Sequence, residues 1–103
     1  MKLIKAAVRS EKFDEVSLAL QNIGIEYFMF KDGHRIDKAD IHQVSYRGRT
    51  MNAAVSAEIV DIEMVIVDSD VQEAVACIKE AAYTGLPGDG KIFILPVDNT
   101  LDI

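Results

Sequence analysis

Gly85, Gly88 and Gly90 fall within six residues, Pro87 stands among them and Lys91 follows directly. This spacing is suited to holding an anion. Glycine admits positive φ and close approach of a ligand to the backbone. Successive free amides in such a loop form an anion-binding concavity, to which Lys91 adds a positive charge. Read as text, Gly85 to Lys91 fits G-x-x-x-x-G-K, but Ile92 replaces the Ser or Thr that would hold Mg²⁺. The context also differs, because a helical pattern precedes the loop and a strand pattern, Ile92-Phe93-Ile94-Leu95, follows it. A P-loop NTPase is excluded. Two readings stay open: a phosphate cradle of another kind, or a glycine helix cap with a tight turn into an edge strand. On the glycines alone the turn reading carries more weight.

Other reactive side chains do not converge. His34 and His42 share a stretch with Asp37 and Asp40, at no strong metal-ligand spacing. Cys77 adjoins an apolar helical stripe and reads as a small buried hydrophobe. Asp61 and Glu63 share one strand face without an opposed carboxylate. Tyr46-Arg47-Gly48-Arg49 reads as an exposed basic turn. No catalytic residues and no metal site are assigned, so the chain is read as a non-enzyme.

These candidates need a scaffold, and 103 residues allow one domain, 1–103. Half the residues are hydrophobic, which excludes disorder. A net charge of −6 argues against a nucleic-acid partner. A single cysteine leaves no internal disulfide. No apolar run has the length of a membrane span, and the N-terminus lacks a signal-peptide pattern, so a cytoplasmic location is expected.

Hydrophobic periodicity places the elements. Lys2 to Val8 suits a buried strand. Ser10 is expected to cap a helix bearing Phe13, Val16, Leu20 and Ile23, stopped by Gly24. Ile25 to Phe30 reads as a second strand. Glu58 to Val67 is a third, with Val60, Ile62, Met64 and Ile66 on one face and Asp61 and Glu63 on the other. Asp70 with Glu73 has the spacing of a capping box. It precedes a helix striped by Val71, Ala74, Val75, Ile78 and Ala82 and ended by Gly85. Lys91 to Val97 is the last strand. The order β-α-β-(long loop)-β-α-β is the α+β, ferredoxin-like pattern, with both helices on one face of an antiparallel sheet. The other face mixes residues such as Ala7, Tyr27, Glu63 and Phe93, which suggests self-association.

Lys31 to Ser56 separates the middle strands by 26 residues of weak periodicity. Insertions of this length in compact domains are usually functional or disordered. It carries five basic and three acidic residues, a balance of +2, while the rest of the chain carries −8. A mildly basic arm on an acidic body is a candidate partner-contact element.

Three stretches resemble the PII signal-transduction (nitrogen-regulatory) family. Met1-Lys2-Leu3-Ile4-Lys5-Ala6 through Val16 resembles its first strand and helix start. Tyr46-Arg47-Gly48 resembles a motif of its long T-loop. Thr84-Gly85 with Gly88-Asp89-Gly90-Lys91-Ile92-Phe93-Ile94-Leu95-Pro96-Val97 resembles its B-loop and last strand. The resemblance implies a homotrimer with adenine-nucleotide sites (ATP, ADP or AMP) in the clefts between subunits. Gly88, Asp89, Gly90 and Lys91 would be the nucleotide contacts. It also implies an arm, with Arg35, Tyr46, Arg47 and Arg49 as its contact residues, that docks on a membrane transporter or enzyme.

The departures set further expectations. The tyrosine uridylylated in some members falls at Met51, so that modification is not expected. The glutamine that helps hold Mg²⁺ and 2-oxoglutarate falls near Ala39, so 2-oxoglutarate sensing of the usual kind does not carry over. Leu86 and Pro87 replace a polar-then-aliphatic pair. The sequence closes on Asn99-Thr100-Leu101-Asp102-Ile103 where typical members carry a C-terminal loop with phosphate-binding arginines, and ATP binding is expected to be weaker for it. Charge-assisted contacts contribute about 1.5–3 kcal/mol each. The alternative function is a PII-like or CutA-like trimer without nucleotide, acting as a metal-response or interaction module through His34 and His42.

Overall fold

The computed structural model describes residues 1–36, 41–54 and 56–103; for 41–44, 46 and 51–54 it describes backbone only. Among the described residues, six strands and two α-helices run in the order β1 (Lys2–Arg9), α1 (Phe13–Asn22), β2 (Met29–Arg35), β3 (Ile41–Tyr46), β4 (Arg49–Ala54), β5 (Ala57–Ile66), α2 (Val71–Ala82) and β6 (Gly90–Pro96). Four strands form one antiparallel sheet in the order β2-β5-β1-β6, while β3 and β4 form a second, two-stranded sheet. With the β3–β4 hairpin set aside, this is the ferredoxin-like arrangement.

The core follows from alternation in the two central strands. Ile4, Ala6 and Val8 of β1 and Val60, Ile62, Met64 and Ile66 of β5 are buried on the helical side. Val16 and Leu20 of α1, and Ala74, Ile78 and Ala82 of α2, close over them. Burying each of the larger side chains contributes about 1.5–3 kcal/mol. Phe13 meets Phe30 of the edge strand β2 at 4.5 Å between ring centroids and ties α1 to that edge.

Three expectations are corrected. The second strand begins at Met29, not Ile25. The helix before it ends in a Schellman motif, in which Ile25 N–H donates to Leu20 O and Gly24 N–H to Gln21 O, with Gly24 at φ 90°. Ile25 is thus spent on the helix end, and Ile25 and Phe28 pack against the core instead of pairing. Second, neither predicted cap forms. Each helix is entered through a turn of 3₁₀ helix, at Ser10–Lys12 and Asp68–Asp70. This leaves Lys12 and Asp70 with helical backbone and no side-chain cap bond, whereas a capping side chain needs an extended one. Third, α2 stops at Ala82, with Tyr83 already extended, so Gly85 belongs to the loop beyond.

The segment 31–56 is also more regular than expected. β2 continues to Arg35, and β3 and β4 pair from Ile41↔Ala54 to Tyr46↔Arg49. Arg47 (φ 51°) and Gly48 (φ 74°) make the two-residue turn, both left-handed as a type I′ hairpin requires. The molecule measures 57 × 26 × 21 Å, and its radius of gyration of 16.6 Å exceeds the ~13 Å of a compact chain this long. A projecting ribbon accounts for the excess.

Candidate functional site

The glycine loop, 83–90, leads from the end of α2 into β6, and one carboxylate organises it. Asp89 Oδ2 accepts from Thr84 N–H at 2.8 Å and Gly85 N–H at 3.3 Å. Asp89 Oδ1 accepts from the Thr84 hydroxyl and from Arg9 Nε at 3.2 Å. Thr84 Oγ1 in turn accepts from Leu86 N–H at 3.1 Å. Arg9 Nη2 donates to Pro87 O at 2.8 Å, so one guanidinium grips the loop at two points. The hydrogen bonds from Thr84, then those from Arg9 and Gly85, hold the Asp89 carboxyl down at about 2. It is therefore ionised at any working pH.

Two glycines are dictated by space as well as by φ. Gly90 (φ 143°) is opposite Val8, and a Cβ there would run into the carbonyl oxygen of Ala7. Gly88 (φ 86°) faces the Arg35 guanidinium. A Cβ built on Gly88 would lie 2.5 Å from Nη2 and 3.2 Å from Cζ. Both positions exclude any side chain while the surrounding backbone and Arg35 stay in place.

Beside the loop a cleft of about 420 Å³ opens between α2 and β6. Val75, Ile78, Ala82 and Tyr83 line one wall and Ile92 and Ile94 the other, with Asp89, Gly90 and Lys91 at one end. Lys91 is exposed. An apolar cleft ending in a glycine loop with a lysine has the chemistry to take a flat apolar group joined to an anion.

The predicted residues fall in two places. Gly88, Asp89, Gly90 and Lys91 share the loop, and β2 brings Arg35 to it. Tyr46, Arg47 and Arg49 lie at the turn of the β3–β4 ribbon, about 20 Å from its base at the rise of a six-residue strand. Arg9 was not foreseen. The pairing of Val8 with Gly90 places the next residue of β1 beside Asp89, so topology, not local pattern, identifies it. Ala39 lies outside the described residues, and so do Asp37, Lys38 and Asp40; no cluster of three or more metal-ligating side chains occurs among the described ones. Cys77 packs against the core, and burial, then Glu80 and Glu73, push its thiol up, so it is not a ready nucleophile.

On the open sheet face, Lys5 binds Asp61 at 2.9 Å and Glu63 at 3.0 Å, and Lys31 stands 3.9 Å from both carboxylates. The two acids are thus joined through one lysine. Its hydrogen bond holds the Glu63 carboxyl below its usual value, and those with Asp61 and Glu63 raise the Lys5 ammonium. Ala7, Glu63 and Phe93 occupy this face as expected, whereas Tyr27 precedes the strand.

A model of the nitrogen regulatory protein P-II family matches residues 1–103. A nitrogen regulatory protein P-II of Azospirillum brasilense is 37% identical over the whole chain, which covers 91% of that protein. The P-II protein of Rhodospirillum rubrum is 35% identical with the same coverage. A nitrogen fixation nifHD region GlnB-like protein 1 of Methanothermobacter marburgensis is 38% identical over 105 aligned positions, covering all of this chain and 93% of that protein.

Proposed function

The chain belongs to the nitrogen regulatory protein P-II family, a family of signalling regulators, and from this premise we propose that it is a non-enzymatic sensor of an adenine nucleotide. It works as a homotrimer. The nucleotide lies in the cleft at the glycine loop, completed by a neighbouring subunit, with its phosphates on the loop amides and Lys91. The state of that site sets the arm, residues 31–56, which engages a transporter or enzyme through Arg35, Tyr46, Arg47 and Arg49.

One observation carries the reading: a pre-set glycine loop opens at the end of a 420 Å³ apolar cleft. Asp89, Thr84 and Arg9 fix the loop through hydrogen bonds of its own, which lowers the ordering cost of binding. The open sheet face, with Phe93 and Leu95 exposed around the Lys5–Asp61–Glu63 cluster, supports self-association.

Calorimetric titration with ATP, ADP and AMP tests this reading. Micromolar binding that is lost in Lys91→Ala is the expected result. Absence of heat for all three nucleotides would return the loop to the role of a turn.

A further inference from the structure

We propose that the ionic cluster on the open sheet face is a charge-balance lock on assembly: the face closes against a second copy of this chain when the cluster of each copy sums to zero. This rests on the reading that the chain self-associates through that face. Cross-strand register builds the cluster. Lys5 of β1 stands opposite Glu63 of β5, Ala7 opposite Asp61, and Lys31 of β2 opposite Asp61 from the other side. Alternation puts the four charged residues on the side away from the helices. Lys5 Nζ donates to Asp61 Oδ2 at 2.9 Å and to Glu63 Oε1 at 3.0 Å. Lys31 Nζ lies 3.9 Å from each of the same two oxygens. Two ammoniums thus meet two carboxylates.

Position decides why the balance matters. Asp61 and Glu63 are already shielded in the single chain, their side chains 12% and 26% exposed. Exposed apolar side chains stand around them on the same face. Phe93 of β6 is opposite Lys5, and Met29 of β2 is opposite Glu63. Val65 and Leu95, both opposite Leu3, close one end. A surface that covers this apolar rim also takes the remaining water from the carboxylates. An ion pair with its hydrogen bonds made can leave water at little net cost, whereas a charge left there without a partner is strongly unfavourable.

Charge also says what covers the face. The cluster is paired from within one chain, so the covering surface brings no charge of its own to it. The whole chain carries −6, while the cluster of two lysines and two acids carries none. Two copies therefore repel over the rest of their surfaces and meet here without repulsion. Lys91 shares this side, opposite Ala7, but stands at the sheet edge where β6 leaves the glycine loop, and its charge is left to a phosphate.

Light scattering over a dilution series of the wild type and three variants tests this, with far-ultraviolet circular dichroism to confirm that each is folded. Lys5→Met leaves two carboxylates with one lysine. The double change Asp61→Asn with Glu63→Gln leaves two lysines and no carboxylate. Each should raise the dissociation constant of the assembly at least about tenfold. The double change Lys5→Met with Glu63→Gln removes one charge of each sign and leaves Asp61 with Lys31. It should return the constant to within about threefold of the wild type. Assembly of either unbalanced variant at the wild-type constant overturns the inference and leaves self-association standing. A balanced variant no tighter than Lys5→Met also overturns it, since the bonds of Lys5 and not the balance would then be required. A wild type that keeps the mass of one chain at every concentration removes the inference and the self-association reading together.

Discussion

At the scale of single residues, Asp89 and Gly90 set the loop by opposite means, one by bonds and one by absence. The Asp89 carboxyl titrates at about 2 in the folded chain, below its ordinary value of 3.8. A carboxyl depressed in this way adds stability that is fully present above the unfolded value, and that stability is lost as pH falls through the folded one. The loop should therefore hold from neutral pH to about pH 4 and loosen between about pH 4 and 2. An NMR titration of the carboxyl carbon checks this; a midpoint near 3.8 would remove the hydrogen-bonded carboxylate from the account. Gly90→Ala should cost about 1–3 kcal/mol in a denaturant melt, because the new methyl meets the backbone of β1 and the φ is strained. The glycines, Asp89 and Lys91 were legible as text because loop chemistry is local. Arg9 and the contact of Arg35 with Gly88 were not. They join residues 78 or more and some 50 positions apart, and only the sheet order brings them together.

At the scale of elements, alternation and helical stripes were sufficient to predict β1, β5 and both helices, because each has one buried face, whereas β6, exposed along nearly its whole length, was legible from its apolar run Ile92-Phe93-Ile94-Leu95. β2 was displaced and 31–56 was read as loop for a different reason. Lys31-Asp32-Gly33-His34-Arg35 has low strand propensity, and it is a strand because the edge of β5 is there to pair with. The β3–β4 turn carries its own test. An arginine at φ 51° occupies a site that suits Asn or Gly. Arg47→Asn should raise the hairpin population by a few tenths of a kcal/mol, read from backbone chemical shifts, and an unchanged population would mean that the turn is not type I′ in solution. In the core, Leu20 on the inner face of α1 is fully buried, and Leu20→Ala should cost about 2–5 kcal/mol. A loss under 1 kcal/mol would mean that the site collapses around the gap.

For the whole molecule, the open face of the sheet makes the prediction. Phe93 and Leu95 of β6 stand on the same side as Lys5, Asp61 and Glu63. The proposed homotrimer should appear in light scattering as a mass about three times 11.4 kDa. Phe93→Asp should lower that mass and keep the far-ultraviolet circular dichroism, because Phe93 is half exposed in the single chain. A trimer that survives the change would place the contact elsewhere. No helix among the described residues is long and apolar enough to cross a membrane.

The hairpin that pairs only with itself has one more consequence. The described core draws on β1, α1, β5 and α2, and the hydrogen bonds of β3 and β4 end within their own pair. The backbone pairing of the ribbon is therefore separate from that of the main sheet. On the proposed function, selection can rewrite the arm for a new target while the glycine loop is inherited intact. An engineer can do the same by grafting, exchanging residues 41–54 as a cassette between relatives and keeping the four-stranded sheet and its glycine loop.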